Sequence, residues 1–205
     1  MTATNNQEQE AKFYLSDRPA LEARLNALGA MLRSRRTFEA NLRFDTPDGA
    51  LTRARQVLRL RQDERIRLTY KGPQEIGRAV SVRPEIEFEV SSFENAHAFL
   101  EALGYQVSVR YDKYRTTYSL MDVEVVVDEM PFGDFAEIEG PNGDTIQKAA
   151  QALGLDWEAR SIESYLGLFY RLRNEQGLTA QNLTFEEVTQ KYPPEAFGMR
   201  AADIP

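Results

Sequence analysis

Cysteine is absent from the 205 residues, so neither a disulfide nor thiolate chemistry is available to this chain. That absence fits a reducing compartment, and the cytoplasm is the default expectation. Histidine occurs once, as His97 between Ala96 and Ala98 and off the apolar stripe of its segment, which reads as a surface side chain rather than a catalytic base. There is no Gly-x-x-x-x-Gly-Lys loop, so P-loop chemistry has no support. No apolar run approaches the roughly 18 residues that span a bilayer. The most apolar stretch, Val123 to Val127, is interrupted by Glu124, and no membrane partner is expected. Met1 to Gln7 is polar and uncharged, without the basic start or apolar core of a signal peptide. An excess of basic residues is missing too. A net charge of -7 argues against a general nucleic-acid surface, because phosphate-backbone affinity comes from basic fields.

What is present is a hydrophobic content of 42% with mixed charges, enough for one well-cored domain. Residues 1–175 read as that domain. After Gly177 the character changes: Thr184 and Glu187 fit a capping box for a short helix, and Pro193-Pro194 breaks it. Residues 176–205 are expected as an extension, either a docked strap or partly disordered.

Segments of period two alternate with segments of period near 3.6. Strands are expected over Glu8–Leu15, Thr37–Phe44, Val57–Arg61, Arg65–Lys71, Val107–Tyr111, Arg115–Leu120 and Val123–Asp128, with further short ones around Glu85–Glu87 and Glu137–Glu139. Asp45-Thr46-Pro47-Asp48-Gly49 and Met121-Asp122 read as turns. A first helix follows Arg18-Pro19 with Ser16 as its cap and Leu21, Leu25 and Leu28 on its apolar face. A second is capped by Ser92 and striped by Phe93, Ala96, Phe99, Leu100 and Leu103. A third is capped by Asp144, and a fourth runs from Ile162 to about Arg173. Trp157, Tyr165 and Phe169 read as core.

Three times a Glu-x-Glu pair on an alternating segment leads into a helix that ends at Ala-Leu-Gly. The pairs are Glu8/Glu10, Glu85/Glu87 and Glu137/Glu139. Residues two apart on a strand share a face, so each pair aims two carboxylates the same way, a spacing suited to a hard cation such as Mg²⁺ or Mn²⁺. Between Arg53 and Lys71 the basic residues crowd, and Arg59, Arg61, Arg65, Arg67 and Lys71 alternate with apolar neighbours. Since amphipathic helices claim the apolar faces, the charged faces share the other side of the sheet. If about eight antiparallel strands curl to closure, both signs of charge line one cavity. A polyphosphate chelating a divalent metal would satisfy both sets, and mutual salt bridges would do so as well.

Glu8-Gln9-Glu10-Ala11-Lys12 resembles the ExExK signature of the CYTH superfamily, the triphosphate tunnel metalloenzymes, which includes inorganic and thiamine triphosphatases and class IV adenylyl cyclases. An ordered set follows it: Phe44-Asp45-Thr46, Leu58-Arg59-Leu60-Arg61, Thr69-Tyr70-Lys71-Gly72-Pro73, Arg83-Pro84-Glu85-Ile86-Glu87, Lys113-Tyr114-Arg115, Asp128, Gly133-Asp134-Phe135-Ala136-Glu137-Ile138-Glu139 and Ser164-Tyr165. The resemblance implies an α+β fold, an eight-stranded antiparallel β-barrel with helices packed outside. It also implies that Glu8, Glu10, Asp128, Glu137 and Glu139 hold Mg²⁺ or Mn²⁺, and that Lys12, Arg59, Arg61, Lys71, Lys113 and Arg115 contact a triphosphate. Glu85 and Glu87 then bind metal or orient the attacking water, and Lys12 joins them in the catalytic set. The chain departs from some cyclases of the family in having no His-Phe pair upstream of Glu8. Hydrolysis of the terminal phosphoryl group of a triphosphate compound is the expected reaction. Cyclisation of ATP to cyclic AMP and pyrophosphate, and non-catalytic polyphosphate or nucleotide binding, are the alternatives. The partner is a small triphosphate, and the chain is expected as a monomer or homodimer.

Overall fold

The computed structural model describes residues 7–203, so all but the last residue of the polar start Met1 to Gln7, and the final two residues of the extension, lie outside the described residues. Eight strands form: β1 (Gln7–Leu15), β2 (Met31–Asp45), β3 (Val57–Gln62), β4 (Ile66–Lys71), β5 (Ser81–Glu89), β6 (Gln106–Leu120), β7 (Val123–Met130) and β8 (Gly133–Glu139). Five helices accompany them: α1 (Arg18–Ala27), α2 (Ala50–Arg53), α3 (Phe93–Ala102), α4 (Gly143–Ala152) and α5 (Tyr165–Gln176). Every strand pairing is antiparallel, and the order β1-β5-β4-β3-β2-β6-β7-β8 closes when β8 pairs back onto β1. Closure leaves no open edge and gives the period-two alternation an inside and an outside. None of the described helices is long and apolar enough to cross a membrane.

The two segments expected as separate strands at Val107–Tyr111 and Arg115–Leu120 are one strand, β6. Asp112-Lys113-Tyr114 between them contains no glycine or proline and keeps the alternation, so pairing with β2 runs on through Glu39 opposite Lys113. The Ala-Leu-Gly endings share one mechanism. Gly29, Gly104 and Gly154 all take positive φ, and the next residue's N–H returns to a carbonyl of the last turn: Ala30 to Leu25, Tyr105 to Leu100 and Leu155 to Ala150, at 3.0, 3.1 and 2.9 Å. This is the Schellman closure, which glycine permits at least steric cost. At the helix starts, Ser92 accepts from the Asn95 N–H as expected. Two caps differ from expectation. Asp17 rather than Ser16 caps α1, and Asn142 rather than Asp144 caps α4, with Asp144 in the first turn near the positive helix end. The last helix starts at Tyr165 on a Ser164 cap, leaving Ile162 outside it. On α3 only Leu100 is fully enclosed, and Phe99 and Leu103 face solvent.

Three packed regions surround the ring. The outward side chains of β1, β7 and β8, among them Phe13, Val125, Val127 and Ile138, pack under Leu21 and Leu25 of α1 and Ile146 and Ala149 of α4. Phe44 and Leu60 pack under Leu100 of α3. The third region differs because its strand residues Tyr14, Val109, Tyr111, Met130 and Phe135 share the parity of the inward row. Towards that end of the ring the inward side chains become apolar, and α5 lies over the mouth with Tyr165, Leu166, Leu168, Phe169 and Leu172.

The extension closes over α5. Leu183, Val188 and Phe197 are buried with it. The Leu183 N–H donates to Arg110 O and Leu183 O accepts from Asp112 N–H, both at 3.0 Å. The Asp203 carboxylate accepts from the N–H groups of Ser16 and Asp17 at 2.8 and 2.6 Å. The helix expected at Thr184 is reduced to a single turn, although the Glu187 N–H does reach Thr184 Oγ1 at 3.3 Å. Phe197 is fully enclosed among Tyr14, Phe132 and Phe135. Phe197→Ala is therefore expected to cost about 3–5 kcal/mol in a urea titration. A loss under about 1 kcal/mol would mean that the strap opens independently of the barrel.

Candidate active site

Inside the ring lies a cavity of about 360 Å³, within the range of small-molecule sites. Its wall carries eight cationic and seven acidic side chains, with Val57, Val126 and Leu166 as its aliphatic part. Strand parity produces this wall. Glu8, Glu10 and Lys12 come from β1; Arg59 and Arg61 from β3; Lys71 from β4; Glu85 and Glu87 from β5; Lys113 and Arg115 from β6; and Glu137 and Glu139 from β8. Twelve of the thirteen residues singled out from the sequence thus meet in one space, and Asp128 does not line it.

The three Glu-x-Glu pairs are not equivalent once placed. Glu85 and Glu87 face cations, the first across the β4–β5 ladder and the second on β3, one strand further. Glu85 lies 3.5 Å from Lys71, and Glu87 lies 3.3 Å from Arg59 and 3.4 Å from Arg61 while accepting from the Thr69 hydroxyl at 2.8 Å. Burial alone would raise the Glu87 pKa, but Arg61, Thr69, Arg59 and Arg67 bring it below the ordinary value, so the side chain stays ionised. The contacts of Arg59 and Arg61 to acids are long, 3.3 to 3.5 Å, which leaves these guanidiniums able to re-aim towards an incoming anion.

On the opposite wall the acids face one another. Glu139 on β8 is the direct cross-strand partner of both Glu10 on β1 and Glu124 on β7. Like charges placed opposite destabilise a sheet unless something neutralises them. Desolvation, followed by Glu8, Glu10 and Glu124, pushes the Glu139 pKa up to about 8, although the side chain still reaches solvent at the rim. Burial and Glu137 raise Glu10 in the same direction. Glu8 spends one oxygen on Lys71 at 2.5 Å, and its Oε2 is buried without a hydrogen-bond partner. An orphaned carboxylate oxygen beside carboxylates that repel one another is a donor set fitting a hard divalent cation. Among the described residues, no three of these acids are gathered into a ready-made metal cluster.

Asp128 is fully enclosed on the inward row of β7, between Val126 of the cavity wall and Met130 of the apolar closure. It accepts from Arg115 at 2.7 and 2.5 Å, from Lys113 at 3.1 Å and from the Tyr165 hydroxyl at 2.8 Å. Glu137 is likewise engaged, by Lys12 and Arg115, both at 2.6 Å. Burial alone would lower the Lys12 pKa, but Glu137 and Glu10 raise it, so Lys12 remains a cation. Its ammonium also sits 4.3 Å over the Tyr165 ring.

Glu39, not singled out from the sequence, is buried between Arg61, Lys113 and Arg115 at 3.4, 3.5 and 3.9 Å. Burial alone would raise its pKa, yet Lys113, Arg115, Arg61 and Arg59 lower it to about 2. A depressed carboxylate pKa adds stability above the unfolded value and loses it as pH falls towards the folded one. About 3 kcal/mol is therefore expected to disappear between about pH 4.5 and 2, and Glu39→Gln should flatten that stretch of a stability-versus-pH curve. An identical acid limb in the variant would contradict the pairing.

A signal for Glu39 was present: Glu39, Asn41 and Arg43 alternate with Phe38, Ala40, Leu42 and Phe44 as Arg59 and Arg61 do with Leu58 and Leu60. Glu124 was visible only as the break in an apolar run, and its role depends on β7 lying beside β8. Tyr165 was read as core, and it is, but its hydroxyl also reaches Asp128 across the mouth. No local pattern announces that contact. His97 lies outside the ring, half-buried against Phe44.

Comparison with known proteins agrees with this architecture. A Methanocaldococcus jannaschii protein provisionally named an adenylate cyclase is 27% identical over 143 residues, which are 69% of this chain and 81% of that one. A Vibrio parahaemolyticus structure, also provisionally an adenylate cyclase, superposes with a TM-score of 0.71 at 21% identity over 80% of this chain and 97% of its own. A Hippeastrum protein, provisionally an adenylyl cyclase and described as having a dominant triphosphatase activity, superposes at 0.58 with 19% identity over 80% of this chain and 95% of its own. The family model described as CYTH domain matches residues 6–160, and the chain belongs to that family.

Proposed function

We propose that the protein hydrolyses the terminal phosphoryl group of a triphosphate compound with the help of Mg²⁺ or Mn²⁺. The observation that carries this reading is the sorting of charge within the one cavity. Loosely paired guanidiniums on β3 face mutually repelling carboxylates on β1, β7 and β8. Arg59, Arg61 and Lys71 bind phosphoryl oxygens and stabilise the charge that develops on the transferring group. Lys12, Lys113 and Arg115 hold their positions through Glu137, Asp128 and Glu39 and supply fixed positive potential. Glu8, Glu10 and Glu139 would hold the cation, with Glu137 at their edge and Asp128 acting through Arg115 and Lys113. A bound divalent cation supplies Lewis acidity at the phosphoryl oxygens and makes water easier to deprotonate. Glu85, beside Lys71, and Glu87, kept ionised by Arg61 and Arg59, orient the attacking water.

Hydrolysis is favoured over cyclisation because charge dominates the wall: fifteen of its side chains are charged, and the two aromatic ones, Tyr111 and Tyr165, lie towards the α5 end beside Leu166. The test is the position of cleavage in ATP, read by phosphorus NMR with Mg²⁺ or Mn²⁺. Orthophosphate with ADP supports the reading. Pyrophosphate with cyclic AMP would overturn it in favour of cyclisation, and saturable binding without turnover would make the protein a sensor.

A further inference from the structure

Each cation on the cavity wall except Arg43 has a partner among the described residues. Lys12 pairs with Glu137, Arg59 with Glu87, Lys71 with Glu8, and Lys113 and Arg115 with Asp128; Arg61 is shared between Glu39 and Glu87. Arg83 donates to the carbonyls of Gly72 and Arg55 at 3.0 and 3.2 Å. The Arg43 side chain makes no hydrogen bond or ion pair with another described residue, and its Nε is buried without a partner. Moreover, it sits directly across the β2–β3 ladder from Arg59, like charge opposite like. Burial lowers its pKa; Tyr111 and Tyr170 pull the other way, and Arg59 and Arg83 add smaller lowering contributions.

A half-buried guanidinium without an acidic partner, set beside another, is costly unless an anion joins them. A neutral organic group at this position would leave the charge uncompensated, whereas phosphate oxygens match both forks at once. Along the strands, Asn41 stands opposite Arg61, and Arg43 with Arg59 forms the next level towards α5, where Val109 and Leu166 begin the apolar closure.

We propose that Arg43, with Arg59, forms a fourth anion subsite next to the triphosphate grip, so that the cavity prefers linear phosphate chains of at least four units to tripolyphosphate. This rests on the reading of the cavity as a triphosphate site.

The test is internal competition. Equimolar linear tripolyphosphate and tetrapolyphosphate are incubated with the full-length protein and Mg²⁺, and the loss of each is followed by phosphorus NMR, which gives the ratio of their kcat/KM values. Wild type is expected to prefer the tetraphosphate by at least about tenfold. Arg43→Gln should bring the ratio close to one, and Arg43→Lys should keep part of the preference. Without ligand, Arg43→Gln should melt about 2–4 °C above wild type, because an uncompensated cation has gone; a merely structural arginine would give the opposite shift. Consumption of tripolyphosphate with no preference in wild type, or with the same preference in Arg43→Gln, overturns the subsite and leaves the triphosphatase reading standing. If neither compound is consumed and neither shifts the melting temperature, both are wrong.

Discussion

Arg61→Ala is expected to lower kcat/KM for tripolyphosphate by at least about a hundredfold while the protein still unfolds in one cooperative transition. Arg61, like Arg115 and Glu124, lines both the main cavity and a second one of about 250 Å³. Its acidic contacts, to Glu39 and Glu87 at 3.4 Å and Asp63 at 3.5 Å, are longer than the 2.5 Å grip of Arg115 on Asp128. The difference decides which arginine is free to follow charge onto a transferring phosphoryl group. Removing Arg61 leaves Glu39 still covered by Lys113 and Arg115, so the loss should fall on turnover rather than on folding. A folded variant with unchanged turnover would remove the tunnel from the chemistry.

The second large effect concerns Asp128, which the family pattern suggests as a metal ligand. Asp128→Ala is expected to destabilise the protein by about 3–5 kcal/mol in a denaturant titration run with a chelator present. The physical reason is that the variant strands Lys113 and Arg115, both inside the ring, and leaves the Tyr165 hydroxyl without its acceptor. A carboxylate that served only to hold a metal would behave in the opposite way. Deleting it from the metal-free protein would relieve repulsion and leave stability equal or higher. The sign of the change therefore separates the two roles without any assay of activity.

Much of the site is legible in the sequence because strands impose a rigid parity. Once Arg59 and Arg61 alternate with Leu58 and Leu60, and Glu85 and Glu87 with Ile86 and Phe88, the side they share follows from the pleat. The helix endings are as readable, since only glycine fits the positive φ after Leu28, Leu103 and Leu153 without strain. What the chain does not show locally is who stands across the ring. Glu139 reads like Glu87 along the strand, yet one meets two carboxylates and the other two arginines, because β8 lies between β1 and β7 while only β4, with the small Thr69, separates Glu87 from Arg59 and Arg61 on β3. The same limit applies to Asp128, whose burial depends on Tyr165 arriving from 37 residues later in the chain. Asp112-Lys113-Tyr114 falls between two expected strands, yet in a closed ring a polar inward residue such as Lys113 is no interruption.

The most direct measurement is phosphate release from tripolyphosphate by the purified protein, with Mg²⁺, with Mn²⁺ and with excess chelator. Metal-dependent appearance of orthophosphate and pyrophosphate in equal amounts, abolished by the chelator, is the predicted result. A folded protein that releases no phosphate under any of the three conditions, and whose melting temperature tripolyphosphate does not change, would contradict the assignment of this cavity as a triphosphate-hydrolysing site.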